Sequence, residues 1–254
     1  MMSKEQNIET NDRIEGRNSV LEALRADRTI NKILIAKGNK EGSIKQIIAM
    51  AKEKHIVLQE VDKQKLDKMS DTKAHQGVIA YVSPIEYVDV SDILKEAERK
   101  NEPPFVIILD EIEDPHNFGA ILRTANAVGA HGVIIPKRRA AQISTVVSKA
   151  SAGAIEYVKV ARVSNIANTI DYLKENDIWI YGIEASGKSK FYETDLKGAI
   201  ALVIGSEGAG IGKLITNKCD FLVNIPMKGE ITSLNASVAG AVVMYEVLKQ
   251  REQR

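Results

Sequence analysis

The later part of the chain predicts an open, mostly parallel α/β sheet, preceded by a small α/β unit. Three observations carry this reading. Residues 105–109 form a continuous apolar run, the pattern of a strand covered on both faces. From there, strand, loop and helix patterns alternate, which predicts parallel strands with helices on both sides. Near the end, an apolar strand (201–204) runs into Gly205-Ser-Glu-Gly-Ala-Gly210, and a second strand (221–225) stops at Pro226. A polar loop follows, and a small-residue helix opens around Ser233, Asn235 and Ser237. Two strand ends and one helix start converge, which is where an open α/β sheet places its ligand.

The elements follow in order. Residues 1–12 are polar without an apolar core, so they predict a disordered tail rather than a signal peptide. Residues 13–82 read as the small α/β unit. Val20, Leu21 and Leu24 fall at helical spacing after Asn18 or Ser19, either of which could cap. Residues 32–36 predict a strand. Ile44, Ile47, Ile48 and Ala51 give one apolar helical stripe. Residues 56–58 predict a strand, 63–69 a weak helix and 78–82 a strand. Ser83-Pro84 and Asn101-Glu-Pro-Pro104 bracket a charged helix over 91–100, and 83–104 reads as a linker.

Beyond the linker, residues 110–117 are a polar loop and 118–128 a helix stopped by Gly129. Residues 132–135 predict a strand ended by Pro136, followed by the basic loop Lys137-Arg138-Arg139. Helices over 143–150 and 165–174 alternate with strands over 157–160 and 178–183. The last helix, 235–249, is apolar around much of its girth, which predicts burial in the core or in a subunit interface.

Composition narrows the function classes. The 254 residues include 44% hydrophobic ones, enough for a real core, and the net charge is +1. No global field announces a nucleic-acid partner, so any such binding must use local patches. The scattered basic residues of the front unit read most simply as a solvated surface. The single cysteine, Cys219, sits in a strand pattern and supports neither a disulfide framework nor a zinc site, which fits a reducing cytoplasm. No apolar run approaches the ~18 residues of a membrane span.

Two motifs mislead. Gly182-Ile-Glu-Ala-Ser-Gly-Lys-Ser189 has phosphate-loop spacing after a strand, but such a loop needs a helix starting at its Lys-Ser. Lys190-Phe-Tyr-Glu-Thr-Asp195 is poor helix material. Gly208-Ala-Gly-Ile-Gly212 has the wrong spacing and place for a dinucleotide fingerprint. His75, His116 and His131 are not spaced for a metal.

Three segments in register resemble the SpoU (TrmH-like) branch of the SPOUT RNA methyltransferases. They are Asp114-Pro-His-Asn-Phe-Gly-Ala-Ile-Leu-Arg-Thr-Ala125, Ile204-Gly-Ser-Glu-Gly208 and Ile225-Pro-Met-Lys-Gly-Glu-Ile-Thr-Ser-Leu-Asn-Ala-Ser-Val238. The resemblance covers 105–250. Gly16-Arg-Asn-Ser-Val20 with Glu22-Ala-Leu24, and His75-Gln-Gly77, are similar to the subgroup that methylates a guanosine ribose of 23S rRNA.

The resemblance implies a SPOUT domain over 105–254 with a deep trefoil knot, preceded by a small RNA-binding domain over 13–82. The implied cofactor is S-adenosylmethionine, held around Gly205, Ile225 and Leu234 with Ile204, Pro226 and Met227. The implied catalytic residue is Arg123, surrounded by Asn117, Glu207, Ser233 and Asn235. The front domain (with Arg17) and the loop Lys137-Arg138-Arg139 are the implied RNA contacts. A homodimer through the knot region and last helix is implied, and no metal or membrane.

A protonated guanidinium has no acceptor and cannot serve as a base. Arg123 could instead bind a phosphate or the developing alkoxide. Glu207 could simply cap or form a salt bridge, and Ser233 and Asn235 could be plain helix caps. A tRNA ribose methyltransferase, an rRNA adenosine resistance enzyme and a non-catalytic ribosome-assembly factor stay open as alternatives.

Overall fold

In a computed structural model, residues 12–38 and 41–253 are described. The chain forms two compact units. The first holds the residues up to Glu86 together with 143–156; the second holds Tyr87–Gln142 and Tyr157–Arg254.

The first unit begins with β1 (Asp12–Glu15), α1 (Arg17–Arg25), β2 (Ile30–Ala36), α2 (Ser43–Glu53), β3 (Val57–Val61), α3 (Lys63–Met69) and β4 (Val78–Val82). Its sheet runs β1-β4-β2-β3, antiparallel except for the β2–β3 pair. Strand β2 shows why both faces are covered. Ile33 and Ile35 pack with Leu24, Ile44 and Ile47 of α1 and α2, while Leu34 and Ala36 pack with Leu66 of α3. The two-residue alternation of a strand splits these side chains between the two layers.

The second unit contains α4 (Val90–Lys100), β5 (Phe105–Asp110), α5 (Pro115–Ala127) and β6 (Gly132–Pro136). The chain then supplies α6 (Thr145–Ala150) and a 3₁₀ turn (Ala154–Glu156) to the first unit. It returns as β7 (Lys159–Val163), α7 (Ile166–Glu175), β8 (Trp179–Ile183), β9 (Ser189–Lys190), β10 (Ile200–Gly205), α8 (Lys213–Thr216), β11 (Phe221–Asn224) and α9 (Ala236–Glu252). The seven strands are ordered β7-β6-β5-β10-β8-β11-β9, and every pairing is parallel. All six residues of β5 are buried, as a strand between two helical layers requires.

Several sequence expectations shift. The predicted tail over 1–12 falls outside the described residues except for Asp12, which opens β1. Neither Asn18 nor Ser19 caps α1; Gly16 occupies that position, and Ser19 lies buried inside the helix. Residues 83–104 are more than a linker, because Ile93 and Leu94 of α4 are buried in the second unit's core. The helix predicted over 143–150 belongs to the first unit, not to the domain drawn over 105–254. Sequence order hid this, since the segment leaves one unit and returns to it. Cys219 lies in the turn before β11, where burial pushes its thiol up to about 12.

Polar bonds tie the 143–156 segment to the first unit. Thr145 Oγ1 donates to the Arg13 carbonyl (2.8 Å), and Lys149 Nζ to Thr72 Oγ1 (2.8 Å). The buried guanidinium of Arg28 meets Glu156 at 2.8 Å and also donates to the Ser83 carbonyl. Burial nevertheless raises the Glu156 pKa, with Arg28 opposing the shift. Removing one partner of a buried pair leaves an uncompensated charge. Arg28→Ala is therefore expected to cost about 3–5 kcal/mol in urea unfolding. A loss below about 1 kcal/mol, the range of an exposed pair, would show that the contact does not hold this segment.

Candidate active site

In the second unit the strand order reverses beside β5. The chain runs outward from β5 through β6 to β7, then crosses back to β8, and β10 inserts between β8 and β5. The carboxyl ends of β5 and β10 therefore border the crevice where open α/β sheets bind ligands. Asp110 and Gly205, the last residues of these strands, are paired in register.

Local sequence sets what rises from these ends. After β5, Asp114 caps α5 by accepting a hydrogen bond from His116 N at 2.9 Å, and Pro115 takes the first helical position. The helix thus starts three residues before the predicted 118. This makes Asn117 part of its first turn and buries it. At the other end of the chain, Asn235 caps α9: its Oδ1 accepts from Ser237 N (3.0 Å) and Val238 N (3.3 Å). This fixes the amide orientation, because the cap needs the oxygen.

The outward-facing Asn235 Nδ2 donates to Asn117 Oδ1 (3.0 Å) and to Glu207 Oε1. Asn117 Nδ2 donates to the same Glu207 oxygen at 2.8 Å. Asn235 is thus both a helix cap and a member of a three-residue cluster. Ser233 caps nothing and stands in the loop before it.

Glu207 sits on a short turn closed by reciprocal bonds between Ser206 and Gly210 (3.1 and 2.9 Å). The turn folds so tightly that a Cβ on Gly205 would lie 2.1 Å from the Gly210 carbonyl carbon, which excludes any other residue there. Two carboxylates anchor its far end. Glu184 Oε1 accepts from Ile211 N (2.6 Å), and Asp110 Oδ2 accepts from Gly212 N (2.8 Å). Burial raises the Asp110 pKa; the Gly212 bond lowers it, and nearby Glu111 raises it. Neither anchor was singled out from sequence. Asp110 reads there as the first residue of a polar loop, and Glu184 lies inside the misleading phosphate-loop pattern.

Between the turn, the 225–235 loop and α9 lies a cavity of about 350 Å³. Gly205, Ile204, Ile225, Met227, Leu234, Ser233 and Glu207 line it, with Glu184 and Thr232. Close packing brings α9 to its edge: a Cβ on Gly240 would lie 2.6 Å from Ile204 Cδ1. Apolar walls with a few polar groups suit a flat heterocycle with a polar tail, and the Gly205 turn offers bare backbone to it. Pro226 is exposed beside the cavity rather than in its lining.

Arg123 is exposed on α5 and does not line the cavity. It lies six residues from Asn117, so the two occupy different faces of the helix. Lys137, Arg138 and Arg139 are exposed at the carboxyl end of β6, the same end of the parallel sheet as the cavity. Arg139 pairs there with Glu111 at 2.9 Å. Arg17 belongs to the first unit.

The misleading motifs resolve cleanly. Lys188-Ser189 starts no α-helix; β9 and a 3₁₀ turn (Phe191–Glu193) follow. His131 Nδ1 accepts from Phe105 N (2.9 Å), a structural use. Among the described residues, no group of three or more His, Cys, Asp and Glu could hold a metal, and no helix is long and apolar enough to cross a membrane.

A switch-point cavity in a parallel α/β unit, preceded by a separate small unit, defines a class of two-domain ligand-binding proteins. Comparison with known proteins narrows it. The SpoU rRNA Methylase family matches residues 104–245, and the family described as RNA 2′-O ribose methyltransferase substrate binding matches residues 13–88. The chain belongs to the SpoU (TrmH) family of RNA methyltransferases.

It is 51% identical over 240 residues to Bacillus subtilis YacO, provisionally named a TrmH family tRNA/rRNA methyltransferase; the match covers 94% of this chain and 96% of that one. A similarly named Staphylococcus aureus protein is 48% identical over 238 residues, covering 94% and 96%. The fold is shared with the SpoU methyltransferase AviRb of Streptomyces viridochromogenes, crystallised with AdoMet. The TM-score is 0.80 at 22% identity, over 95% of this chain and 91% of that one. A crystal structure of an RNA 2′-O ribose methyltransferase gives 0.80 at 25% identity, over 99% and 93%.

The raised Asp110 pKa fixes a sign. Its protonated form favours the folded state below the unfolded value of about 3.9, and this contribution is lost as pH rises through the higher folded value. Asp110→Asn cannot ionise, so in urea unfolding its stability relative to the parent should improve as pH rises above about 4. A relative stability that falls over this range would contradict the assignment.

Proposed function

We propose that the second unit binds S-adenosylmethionine in the cavity beside Glu207 and methylates a ribose 2′-hydroxyl, with a guanosine of 23S rRNA as target. The carrying observation is the cluster in which Glu207 receives both Asn117 and Asn235 at the cavity wall. The bound cofactor supplies an electrophilic methyl group on a sulfonium. Backbone around Gly205, Ile225 and Leu234 would hold its adenine, with Ile204 and Met227 closing the apolar side. Asn117, Glu207, Ser233 and Asn235 would fix the cavity wall and orient the incoming ribose.

Arg123 carries a permanent charge and no acceptor, so it does not take the proton. Its exposure outside the cavity suits a group that meets the RNA rather than the cofactor. There it would hold a phosphate or stabilise the developing alkoxide, and the proton would leave to a phosphate or to water. The exposed Lys137 and Arg138 stand at the same end of the sheet and would meet further phosphates.

The proposal includes a trefoil knot at the 225–235 loop and a homodimer through α9. That helix buries Gly240, Val243, Met244 and Val247 against its own unit yet leaves Val238 and Tyr245 about half exposed. Such an apolar face suits a second copy. The rRNA target rests on the separate first unit; relatives are named for tRNA and rRNA together, so a tRNA ribose is the second reading.

Mapping ribose methylation across rRNA and tRNA, in cells with and without this protein, tests the target. Loss of one methylated guanosine in large-subunit rRNA is expected; loss of a tRNA site would move the substrate to the second reading. With purified protein, Arg123→Ala should lower turnover about a hundredfold or more while leaving S-adenosylmethionine affinity unchanged. Unimpaired turnover would remove Arg123 from the chemistry.

A further inference from the structure

The phosphate-loop pattern over 182–189 starts no helix, yet the structure gives it a place at the cavity. Its third residue, Glu184, directly follows β8 at the carboxyl end of the parallel sheet. Glu184 N donates to the Val223 carbonyl (3.0 Å), and Gly187 N donates to the Glu184 carbonyl (3.0 Å). Asn224 Nδ2 donates to the Gly187 carbonyl at 2.6 Å. A Cβ on Gly187 would lie 2.8 Å from the Leu222 carbonyl oxygen, so glycine is what lets this turn lie against β11. The glycine of the motif thus positions a carboxylate.

The two oxygens of that carboxylate have different duties. Oε1 accepts from Ile211 N at 2.6 Å. Gly210, in left-handed backbone (φ 66), clears room for it, since a Cβ there would lie 2.7 Å from Oε1. Oε2 has no hydrogen-bond or ion-pair partner among the described residues. Glu184 lines the cavity, and no Lys, Arg or His stands among the lining residues. An ionised carboxylate only accepts hydrogen bonds, so this one is matched by a ligand that brings donors. Glu207, the other carboxylate of the lining, already receives Asn117 and Asn235.

We propose that Glu184 Oε2 accepts from a ribose hydroxyl of the bound S-adenosylmethionine, and so makes the site selective for a ribonucleoside cofactor. This deepens the function proposed above and rests on S-adenosylmethionine as the ligand. That molecule offers three sets of donors: the adenine amino group, the ribose diol and the ammonium of its amino-acid tail. Backbone around Gly205, Ile225 and Leu234 takes the adenine in the reading above. Glu184 is bonded to Val223, two residues before Ile225, so it stands beside the adenine position. The part of the cofactor joined directly to adenine is the ribose, and the tail lies beyond it. Dinucleotide-binding sheets use an acidic side chain on a ribose hydroxyl in the same way.

Calorimetry tests this without RNA. The full-length parent, Glu184→Ala and Glu184→Gln are titrated with S-adenosylhomocysteine, its 2′-deoxy and 3′-deoxy analogues, and an analogue lacking the amino group. The parent should bind at least one deoxy analogue about tenfold more weakly than S-adenosylhomocysteine. In Glu184→Ala that ratio should fall to within about twofold, because hydroxyl and carboxylate form one coupled pair. A residue that only anchors the turn would weaken every ligand alike and leave the ratio unchanged. Glu184→Gln keeps an oxygen for Ile211 N and loses the charge, so its ratio should fall to about threefold.

A ratio equal to the parent's in both variants would overturn the proposal and leave the cofactor reading intact. So would a parent that binds both deoxy analogues as tightly as S-adenosylhomocysteine. If the variants instead lose discrimination against the analogue without the amino group, Glu184 meets the ammonium and the ribose assignment falls. A parent that binds none of these ligands would overturn the cofactor reading as well.

Discussion

Side-chain amides from Asn117 and Asn235 both donate to one carboxylate oxygen of Glu207. The three residues come from the start of α5, the turn after β10 and the start of α9, so a single acceptor joins elements far apart in the chain. Each amide is fixed before it reaches the carboxylate. Asn117 belongs to a first turn set by Asp114 and Pro115, and Asn235 has its oxygen committed to the α9 cap. A carboxylate that receives oriented donors forms charge-assisted bonds stronger than neutral ones. The cavity wall depends on this meeting.

The parallel sheet makes the meeting feasible. With all pairings parallel, the loops after β5, β6, β8, β10 and β11 emerge at one end. At that end Asp110 and Glu184 hold the base of the Glu207 turn through neighbouring amides, Gly212 and Ile211. Tight approaches at Gly205 and Gly240 bring backbone and helix close enough to close a cavity. The fold thus supplies rigid strand ends and caps, while the chemistry is carried on loops.

Much of this was legible in the sequence. Continuous apolar runs such as 105–109 and 201–204 announce buried parallel strands, and the three motifs give the family that the comparisons establish. Legibility failed where the signal is not periodic. Asp114-Pro115 is a cap followed by a first-turn proline, yet the polar residues around it read as loop. The segment 143–156 has an ordinary helical pattern, and no local pattern says which unit a helix will join. Glu184 and Asp110 act through backbone amides of residues far along the chain, a partnership that sequence spacing cannot display. Cys219 looked like strand because the apolar run 221–223 begins two residues later, but the strand begins only at Phe221.

The most direct measurement is the calorimetric affinity of Glu207→Ala for S-adenosylmethionine beside that of the parent. Loss of the carboxylate leaves the buried Asn117 amide nitrogen without its acceptor, at a cost of about 1–3 kcal/mol. The expected weakening is therefore on the order of tenfold or more, since each 1.4 kcal/mol is about a factor of ten. An affinity equal to the parent's would show that the cavity does not depend on this cluster, and would contradict the account.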